Sequence, residues 1–282
     1  MRDRAVIDLR AKGLLDELLT DAGHKLGTSL DPVTARIGGE DGATGGAVSD
    51  RGTWVRLQHR PANTDPPPRW HAEETAAELT GVRKPTWHRA VTWDDTTRGV
   101  WWRADELDHV TAPVVGSITA PPETCPPDWW WHQLRANLDA LRHHSTDRVA
   151  LSQHELDCEI AEIADNELDT HVPEWAPAHG DLCWPNITTD GQLLDWEAWG
   201  LAPRGYDAAT LWGLSLPHPD LAAQIQSTFA DELSCRSGQL ARLAWCASAR
   251  HATRARADLA QYRDPIETAV HELLDSLRRP TT

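Results

Sequence analysis

Two neighbouring segments in the second half of the chain carry polar side chains at spacings that suit metal and proton chemistry. Residues 179–186 are HGDLCWPN, and residues 193–200 are LLDWEAWG. Asp181, Asn186 and Asp195 supply carboxylate and amide oxygens, which are the ligands that Mg²⁺ prefers. The segment between them, ITTDGQLL, is typical of a turn leading into a strand. A hairpin-like return would therefore bring Asp195 back beside Asp181 and Asn186.

This set of side chains matches the division of roles in phosphoryl transfer. One carboxylate would accept the proton of an attacking hydroxyl while the other and the amide hold the metal. In the structural alternative, His179 and Asp181 hydrogen-bond a loop, Asn186 adopts a turn and Asp195 caps an element. That alternative is favoured for any single residue. The chemical interpretation is favoured for the set, because a Gly-rich loop, a charged strand and a Glu-bearing helix precede it in order.

The elements that must position these residues predict an α+β fold of two lobes. Residues 1–105 contain a first helix over 1–25, a Gly-rich hairpin or loop at 38–46 and a strand at TWVRLQ. They continue with a helix over RWHAEETAAELTGV and two strands across a turn at Asp94 to Arg98. Residues 106–282 are predicted to be mainly helical, after an extended crossing at Arg103 to Asp108. A cleft between the lobes is the expected ligand site.

Composition limits the partners. The 282 residues carry a formal charge of −16, which disfavours nucleic acid and favours cationic molecules as partners.

The 5 cysteines are widely spaced, which predicts reduced thiols. Without a signal-peptide core or a long apolar run, the chain is expected to be cytoplasmic, with no membrane partner. The 15 tryptophans stand against 1 Phe and 1 Met, so most are expected to pack the core.

The motif HGDLCWPN, followed by LLDWEAWG and by GYDAATLW at 205–212, resembles the aminoglycoside phosphotransferase family. That resemblance implies a protein-kinase-like fold with a small β-rich N-terminal lobe and a larger, mainly helical C-terminal lobe. It also implies an enzyme that moves the γ-phosphoryl group of ATP to an alcohol, with Mg²⁺ as the metal.

The resemblance assigns roles in the C-terminal lobe residue by residue. Asp181 would be the catalytic base, and Asn186 and Asp195 would bind Mg²⁺. His179 would brace the catalytic loop, and Asp207 would stabilise the helical lobe.

It also assigns less specific roles. Gly45 and Gly46 would lie in the loop over the phosphates. The stretch Arg103 to Glu106, which includes Asp105, would be the hinge whose backbone meets adenine. Glu197 and Trp199 would line the acceptor side, although local packing explains them at least as well.

The chain departs from the family at the lysine of the third strand, where it has Arg56. The acidic partner on the following helix would be Glu73 or Glu74, and spacing does not choose between them. Arginine keeps the charge but is planar and bulkier, so the exchange is not conservative. Lys84, the nearest lysine downstream, is expected to be solvated at a helix end.

Three functions remain open at this point. The first is a kinase acting on a small-molecule hydroxyl, such as that of an amino sugar or related natural product, with a preference for cationic acceptors. The second is a peptide Ser/Thr kinase in natural-product peptide maturation. The third is a catalytically silent kinase-like module that binds a partner protein, which would follow if Arg56 blocked the nucleotide site. The survival of Asp181, Asn186 and Asp195 together favours an active enzyme.

Overall fold

The computed structural model describes residues 7–39, 41–62, 68–118, 121–122, 125–164 and 168–279. The chain divides into two compact units, Met1–Glu78 with Lys84–Thr111 and Leu79–Arg83 with Ala112–Thr282. The first contains a five-stranded sheet and the second is mainly helical. The predicted α+β class is therefore confirmed.

The first unit is built on an antiparallel sheet with the strand order β1-β2-β3-β5-β4. Its strands are β1 (Arg36–Gly38), β2 (Thr44–Val48), β3 (Thr53–Pro61), β4 (Trp87–Asp95) and β5 (Val100–Asp108), and its helices are α1 (Leu14–Leu26) and α2 (Ala72–Ala76). The predicted boundary at residue 105 falls inside β5, whereas the unit extends to Thr111.

Helix α1 closes the core of this unit because its apolar side chains recur on one face. Leu18, Leu19 and Leu26 are buried in the same cluster as Leu57 and Trp102 of the sheet. The helix begins later than the predicted 1–25, after a turn in which Gly13 has a φ of 78°; residues 1–6 of that prediction lie outside the described residues. Helix α2 is also shorter than predicted, and Leu79–Arg83 group with the second unit.

The second unit places two short strands among helices. The strands β6 (Trp175–Ala178) and β7 (Gly200–Pro203) pair antiparallel. The helices are α3 (Asp128–Leu141), α4 (Gln153–Ile160), α5 (Tyr206–Leu214), α6 (Pro219–Thr228), α7 (Ala230–Ser234), α8 (Arg236–Ala255) and α9 (Arg263–Leu277). Strand β6 leads directly into HGDLCWPN and β7 directly follows LLDWEAW, so this small ribbon fixes the ends of both motifs.

Tryptophans fill much of the core around these motifs. Trp130, Trp131 and Trp184 are buried and their rings lie 5.0–6.4 Å apart between centroids. The indole N–H of Trp130 donates to the Thr188 carbonyl at 2.9 Å, which satisfies its polar atom. The expectation that tryptophan packs the core therefore holds at these positions. Within the described residues, no helix is both long and apolar enough to cross a bilayer.

Candidate active site

The two motifs of the second unit meet through backbone hydrogen bonds. Ile187 and Leu193 form an antiparallel bridge, and the Leu194 N–H donates to the Asn186 carbonyl at 2.8 Å. This is the hairpin-like return expected from the sequence. The Asn186 amide N–H₂ donates to the Asp181 carbonyl at 2.9 Å and to its carboxylate at 3.2 Å. Because a carbonyl only accepts, the amide nitrogen faces Asp181, and the amide oxygen is the atom that a metal would take.

His179 connects the loop that carries Asp181 to the segment that carries Asp195. Its Nε2 lies 2.8 Å from the Leu194 carbonyl and must donate to it, and its ring packs edge-on against Trp196 at 4.7 Å. The Asp181 N–H donates to Nδ1 at a long 3.4 Å. These contacts fit the bracing role predicted for His179.

Asp207, near the start of α5, binds the backbone of the loop that carries Asp181. Its carboxylate accepts the N–H of His179 at 2.7 Å and the N–H of Gly180 at 3.0 Å. Burial raises the pKa of Asp207, and the charge of His179 and the two backbone donors oppose that rise. Asp207 thus supports the catalytic loop directly, which is more specific than the general stabilisation expected from the sequence.

Asp195 has a left-handed backbone conformation, which is uncommon for residues other than glycine. Its φ is 60° and its ψ is 70°, and it is the non-glycine residue with positive φ among those that the structure describes. Such a conformation costs about 1–3 kcal/mol and persists only where surrounding contacts enforce it. The strain therefore falls on the residue predicted to bind metal.

The electrostatics of the loop suit a bound cation. The pKa of Asp181 is raised, mainly by desolvation and further by the negative charges of Asp195 and Asp207, while His179 and the Asn186 hydrogen bond oppose the rise. A divalent cation would relieve the repulsion between Asp181 and Asp195. No group of three or more His, Cys, Asp or Glu side chains that could hold a metal occurs among the described residues. Two carboxylates and an amide fit a metal that keeps part of its coordination shell for phosphate oxygens.

Cys183 lies between Asp181 and Asn186 but does not suit nucleophilic chemistry. The side chain is buried, and burial, followed by the charge of Asp181, raises its pKa to about 12. Because the thiolate is the nucleophile, this cysteine stays inert at neutral pH. The chemistry of the loop is therefore that of its oxygen-bearing side chains.

In the first unit, the structure chooses between the two candidate partners of Arg56. The Arg56 guanidinium pairs with Glu73 at 3.3 Å, and only 14% and 8% of the two side chains are exposed. Glu74 instead accepts from Arg103 at 3.1 Å. Lys84 is half-buried rather than solvated; burial lowers its pKa, and the nearby charge of Glu73 opposes this.

Gly45 and Gly46 do not lie in a loop, so that prediction is wrong. Both belong to β2, where Gly45 pairs with Ile37 and Leu57 and Gly46 pairs with Arg56. A Cβ on Gly46 would lie 2.5 Å from the Val55 carbonyl oxygen. These glycines allow close packing within the sheet, and the turn between β1 and β2 includes Gly39 and Gly42, whose φ values are positive, instead.

The predicted hinge and crossing at Arg103 to Asp108 are also wrong, because the stretch is the second half of β5. The backbones of Arg103 and Asp105 pair with β3 on one side and β4 on the other, so they are not available to adenine. Their side chains form a buried ion pair at 2.7 Å, and the Trp87 indole N–H donates to Asp105 at 2.9 Å. Both residues hold α2 and the sheet together.

The acceptor-side candidates differ from each other. Trp199 is buried, with 4% of its surface exposed, so packing explains it. Glu197 is half-buried in the short helical turn Trp196–Ala198 that follows Asp195. The backbone carbonyls of both residues accept hydrogen bonds from Arg148. The sequence does not predict this contact, because backbone carbonyls leave no motif.

The fold and the oxygen-ligand loop together define a kinase-like phosphotransferase. Residues 118–246 match the family model described as Phosphotransferase enzyme family, and this segment contains Asp181, Asn186, Asp195 and Asp207. The resemblance to the aminoglycoside phosphotransferase family predicted from the motifs is confirmed. The match indicates a phosphotransferase that acts on a hydroxyl group.

Solved structures support the fold. A thermostable mutant of aminoglycoside phosphotransferase APH(4)-Ia, in a ternary complex with ADP and hygromycin B, has a TM-score of 0.63 at 11% identity, over 96% of this chain and 100% of that one. Amicoumacin kinase hAmiN, in complex with AMP-PNP, Ca²⁺ and Ami, gives 0.58 at 11% identity over 90% and 93% of the two chains. Choline kinase LicA from Streptococcus pneumoniae gives 0.53 at 12% identity over 93% and 98%. The predicted protein-kinase-like fold is confirmed. No curated protein matches the chain in sequence.

Proposed function

We propose that this chain transfers the γ-phosphoryl group of ATP, with Mg²⁺, to a hydroxyl group of a small molecule. The observation that carries the proposal is the joined pair of loops in the second unit. Asn186 is hydrogen-bonded to Asp181, and the strand pairing at Leu194 brings Asp195 back to them. One carboxylate for the proton and an amide with a second carboxylate for the metal are the groups that phosphoryl transfer requires.

In this mechanism, Asp181 accepts a hydrogen bond from the acceptor hydroxyl and takes its proton as the oxygen attacks the γ-phosphorus. The new O–P bond forms while the bond to the β-phosphate oxygen breaks, and ADP leaves. Asn186 and Asp195 hold the metal, which neutralises phosphate charge when bound. The hydrogen bond from Asn186 keeps the Asp181 carboxylate oriented toward the reacting hydroxyl.

Arg56 is proposed to replace the family's lysine as the cation for the α- and β-phosphates. Its pairing with the buried Glu73 fixes the guanidinium, which can fork onto phosphate oxygens. This geometry favours an active kinase over a silent module, since the pair that the family builds from lysine and glutamate is formed here with arginine.

The acceptor is proposed to be a small alcohol that carries a cationic group. The chain has a formal charge of −16, and Asp181, Asp195 and Glu197 add local negative charge at the loops. Relatives in structure include an enzyme crystallised with hygromycin B, an amicoumacin kinase and a choline kinase. These names define the first acceptors to test.

The test is transfer of labelled γ-phosphate from ATP to hygromycin B, amicoumacin, choline and a basic Ser-containing peptide. Asp181→Asn is expected to lower the rate by about 10²–10⁴-fold, the usual contribution of a general base. Asp190→Asn is the matched control, because this aspartate lies in the same hairpin and bonds Thr188 and Gln192 instead. Transfer by Asp181→Asn at the wild-type rate would remove Asp181 from the mechanism. Labelling of the peptide alone would replace the small-molecule acceptor by a peptide.

A further inference from the structure

A third segment of the second unit, residues 146–151, binds the loop that follows Asp195. The Arg148 Nε donates to the Trp199 carbonyl at 2.9 Å, and its Nη2 donates to the Glu197 carbonyl at 3.3 Å. The guanidinium also lies over the Trp199 indole, 5.3 Å from the ring centroid. One side chain thus binds two carbonyls located two and four residues after Asp195.

Backbone pairing fixes the same segment to the start of β7. The Leu201 N–H donates to the Arg148 carbonyl at 2.8 Å, and the Leu201 carbonyl accepts from Ala150 at 2.9 Å and Leu151 at 3.2 Å. Val149 and Leu201 form a parallel bridge. The backbone of Arg148 is therefore held at the start of β7 by contacts other than those that its side chain makes.

Close approach leaves little room for the loops to move. A Cβ on Gly200 would lie 2.8 Å from the Ala150 nitrogen, and one on Gly180 would lie 2.3 Å from the Ala198 oxygen. The loop with Asp181 and the turn after Asp195 are therefore in direct contact, with Ala150 beside both. A displacement of the turn would disturb both loops.

The left-handed conformation of Asp195 requires such support. A strained residue keeps its conformation only if its neighbours are held in place. Trp196 is held by the bond from its indole N–H to the Leu193 carbonyl at 3.0 Å, which secures the loop ahead of the turn. Arg148 binds the carbonyls on the far side of the turn, at Glu197 and Trp199.

We propose that Arg148 is a positioning residue that keeps Asp195 in its ligand-presenting conformation by binding the carbonyls of Glu197 and Trp199. The inference rests on the proposed function, since it takes Asp195 to be a metal ligand. A lysine at this position would reach one carbonyl with a point charge but would lose the planar fork. It is therefore expected to restore part of the effect.

The test compares Arg148→Met, Arg148→Lys and wild type by calorimetric titration of ATP at a series of Mg²⁺ concentrations. Arg148→Met is expected to raise the half-saturating Mg²⁺ concentration roughly 10- to 100-fold, the range found when residues that orient a metal ligand are changed. Arg148→Lys is expected to have a half-saturating Mg²⁺ concentration between those of wild type and Arg148→Met. Arg135→Met is the control, because Arg135 also donates to a backbone carbonyl, that of Thr228, away from both loops.

Hydrogen exchange of the metal-free protein provides a readout that needs no ligand. Arg148→Met is expected to speed exchange in the peptide covering residues 193–203 while leaving peptides of the β3–β5 sheet unchanged. Exchange as slow as in wild type would contradict the positioning role. If Arg148→Met does not fold, the shift measured for Arg148→Lys decides the question.

The outcomes separate this inference from the proposed function. If wild type binds ATP with a Mg²⁺ dependence and Arg148→Met, when folded, shows the same dependence, then Arg148 has only a structural role and the inference is wrong. If wild type itself shows no Mg²⁺-dependent binding of ATP, the proposed function fails, and with it the ligand role of Asp195 on which the inference rests.

Discussion

The polar residues of the two units are held in place by different interactions. In the first unit, side-chain ion pairs join Arg56 to Glu73 and Arg103 to Glu74. In the second, the loops of Asp181 and Asp195 are positioned mainly by hydrogen bonds to backbone groups. A side-chain ion pair can be rebuilt from another pair of charged residues. A loop held through its backbone depends on local conformation, and its glycines cannot be exchanged.

This difference fits the place where the chain departs from the family that it resembles. Arg56 stands at the position predicted for the family's lysine, and Glu73 pairs with it. The loop residues Gly180, Asp181 and Asn186 match the motif. An arginine fits between the strand and α2 because only the charge and reach must be kept, whereas a Cβ at Gly180 has no space. Substitutions in the two units should therefore have unequal costs.

The largest effect is expected for Gly180→Ala. The φ of Gly180 is +83°, and the new Cβ would lie 2.3 Å from the Ala198 oxygen. Strain and overpacking together should lower the free energy of unfolding by about 2–4 kcal/mol, and transfer should fall with it. Urea unfolding followed by tryptophan fluorescence measures this loss.

Gly52→Ala provides the control for Gly180→Ala. Gly52 has a φ of +76° but no atom within 4 Å of a built Cβ, so only the cost of positive φ remains, about 1 kcal/mol. Equal losses in the free energy of unfolding for the two variants would show that close approach does not hold the loop of Asp181. The loops of the second unit would then be no more constrained than the side chains of the first.

A smaller effect is expected for Arg56→Met. Removing one partner of a buried pair usually costs about 3–5 kcal/mol, because the other charge is left uncompensated. The nearby charge of Lys84 should reduce this to about 2 kcal/mol. Affinity for ATP should fall as well, since the cation is lost.

Arg56→Lys tests whether charge alone is required at this position. We expect stability and ATP affinity between those of Arg56→Met and wild type, because lysine keeps the charge beside Glu73 but loses the planar guanidinium. A loss as large as that of Arg56→Met would mean that the guanidinium geometry is essential, and side chains in the first unit would then be as constrained as the loops of the second.

The smallest effect is expected for Glu74→Gln. The Glu74 side chain is 44% exposed where it pairs with Arg103, and exposed pairs contribute about 0.2–1 kcal/mol. The loss should shrink further in 1 M NaCl because salt screens exposed charges. Glu78→Gln, at an exposed position of the same segment, is the control. A salt-independent loss above about 2 kcal/mol would show that this pair behaves as a buried one.

Local features of the second unit could be predicted from the sequence. Asp181, Asn186 and Asp195 lie within 15 residues of one another, and the segment ITTDGQLL between the last two predicts the turn. The motif therefore specifies both the chemistry and the return of the chain. The contacts of Asp207 and Arg148 could not be predicted, since their partners are backbone groups 27 to 51 residues away and leave no pattern in the sequence.

The first unit was harder to predict because its roles depend on strand register. Gly45 and Gly46 look like a phosphate loop in sequence, but their pairing with β3 places them in a strand. The family resemblance implies a hinge at Arg103 to Glu106, but no local motif marks the end of β5, which lies at Asp108. The choice between Glu73 and Glu74 depends on which face of a five-residue helix meets β3, and neighbouring residues give no period to decide it.

Asp195 is the proposed ligand of the metal that accompanies ATP. Calorimetric titration of MgATP into wild type and into Asp195→Asn, each repeated without Mg²⁺, tests this role most directly. We expect Mg²⁺-dependent binding of ATP in wild type that is lost or strongly weakened in Asp195→Asn. Equal Mg²⁺-dependent binding by both proteins, or none by wild type, would contradict it.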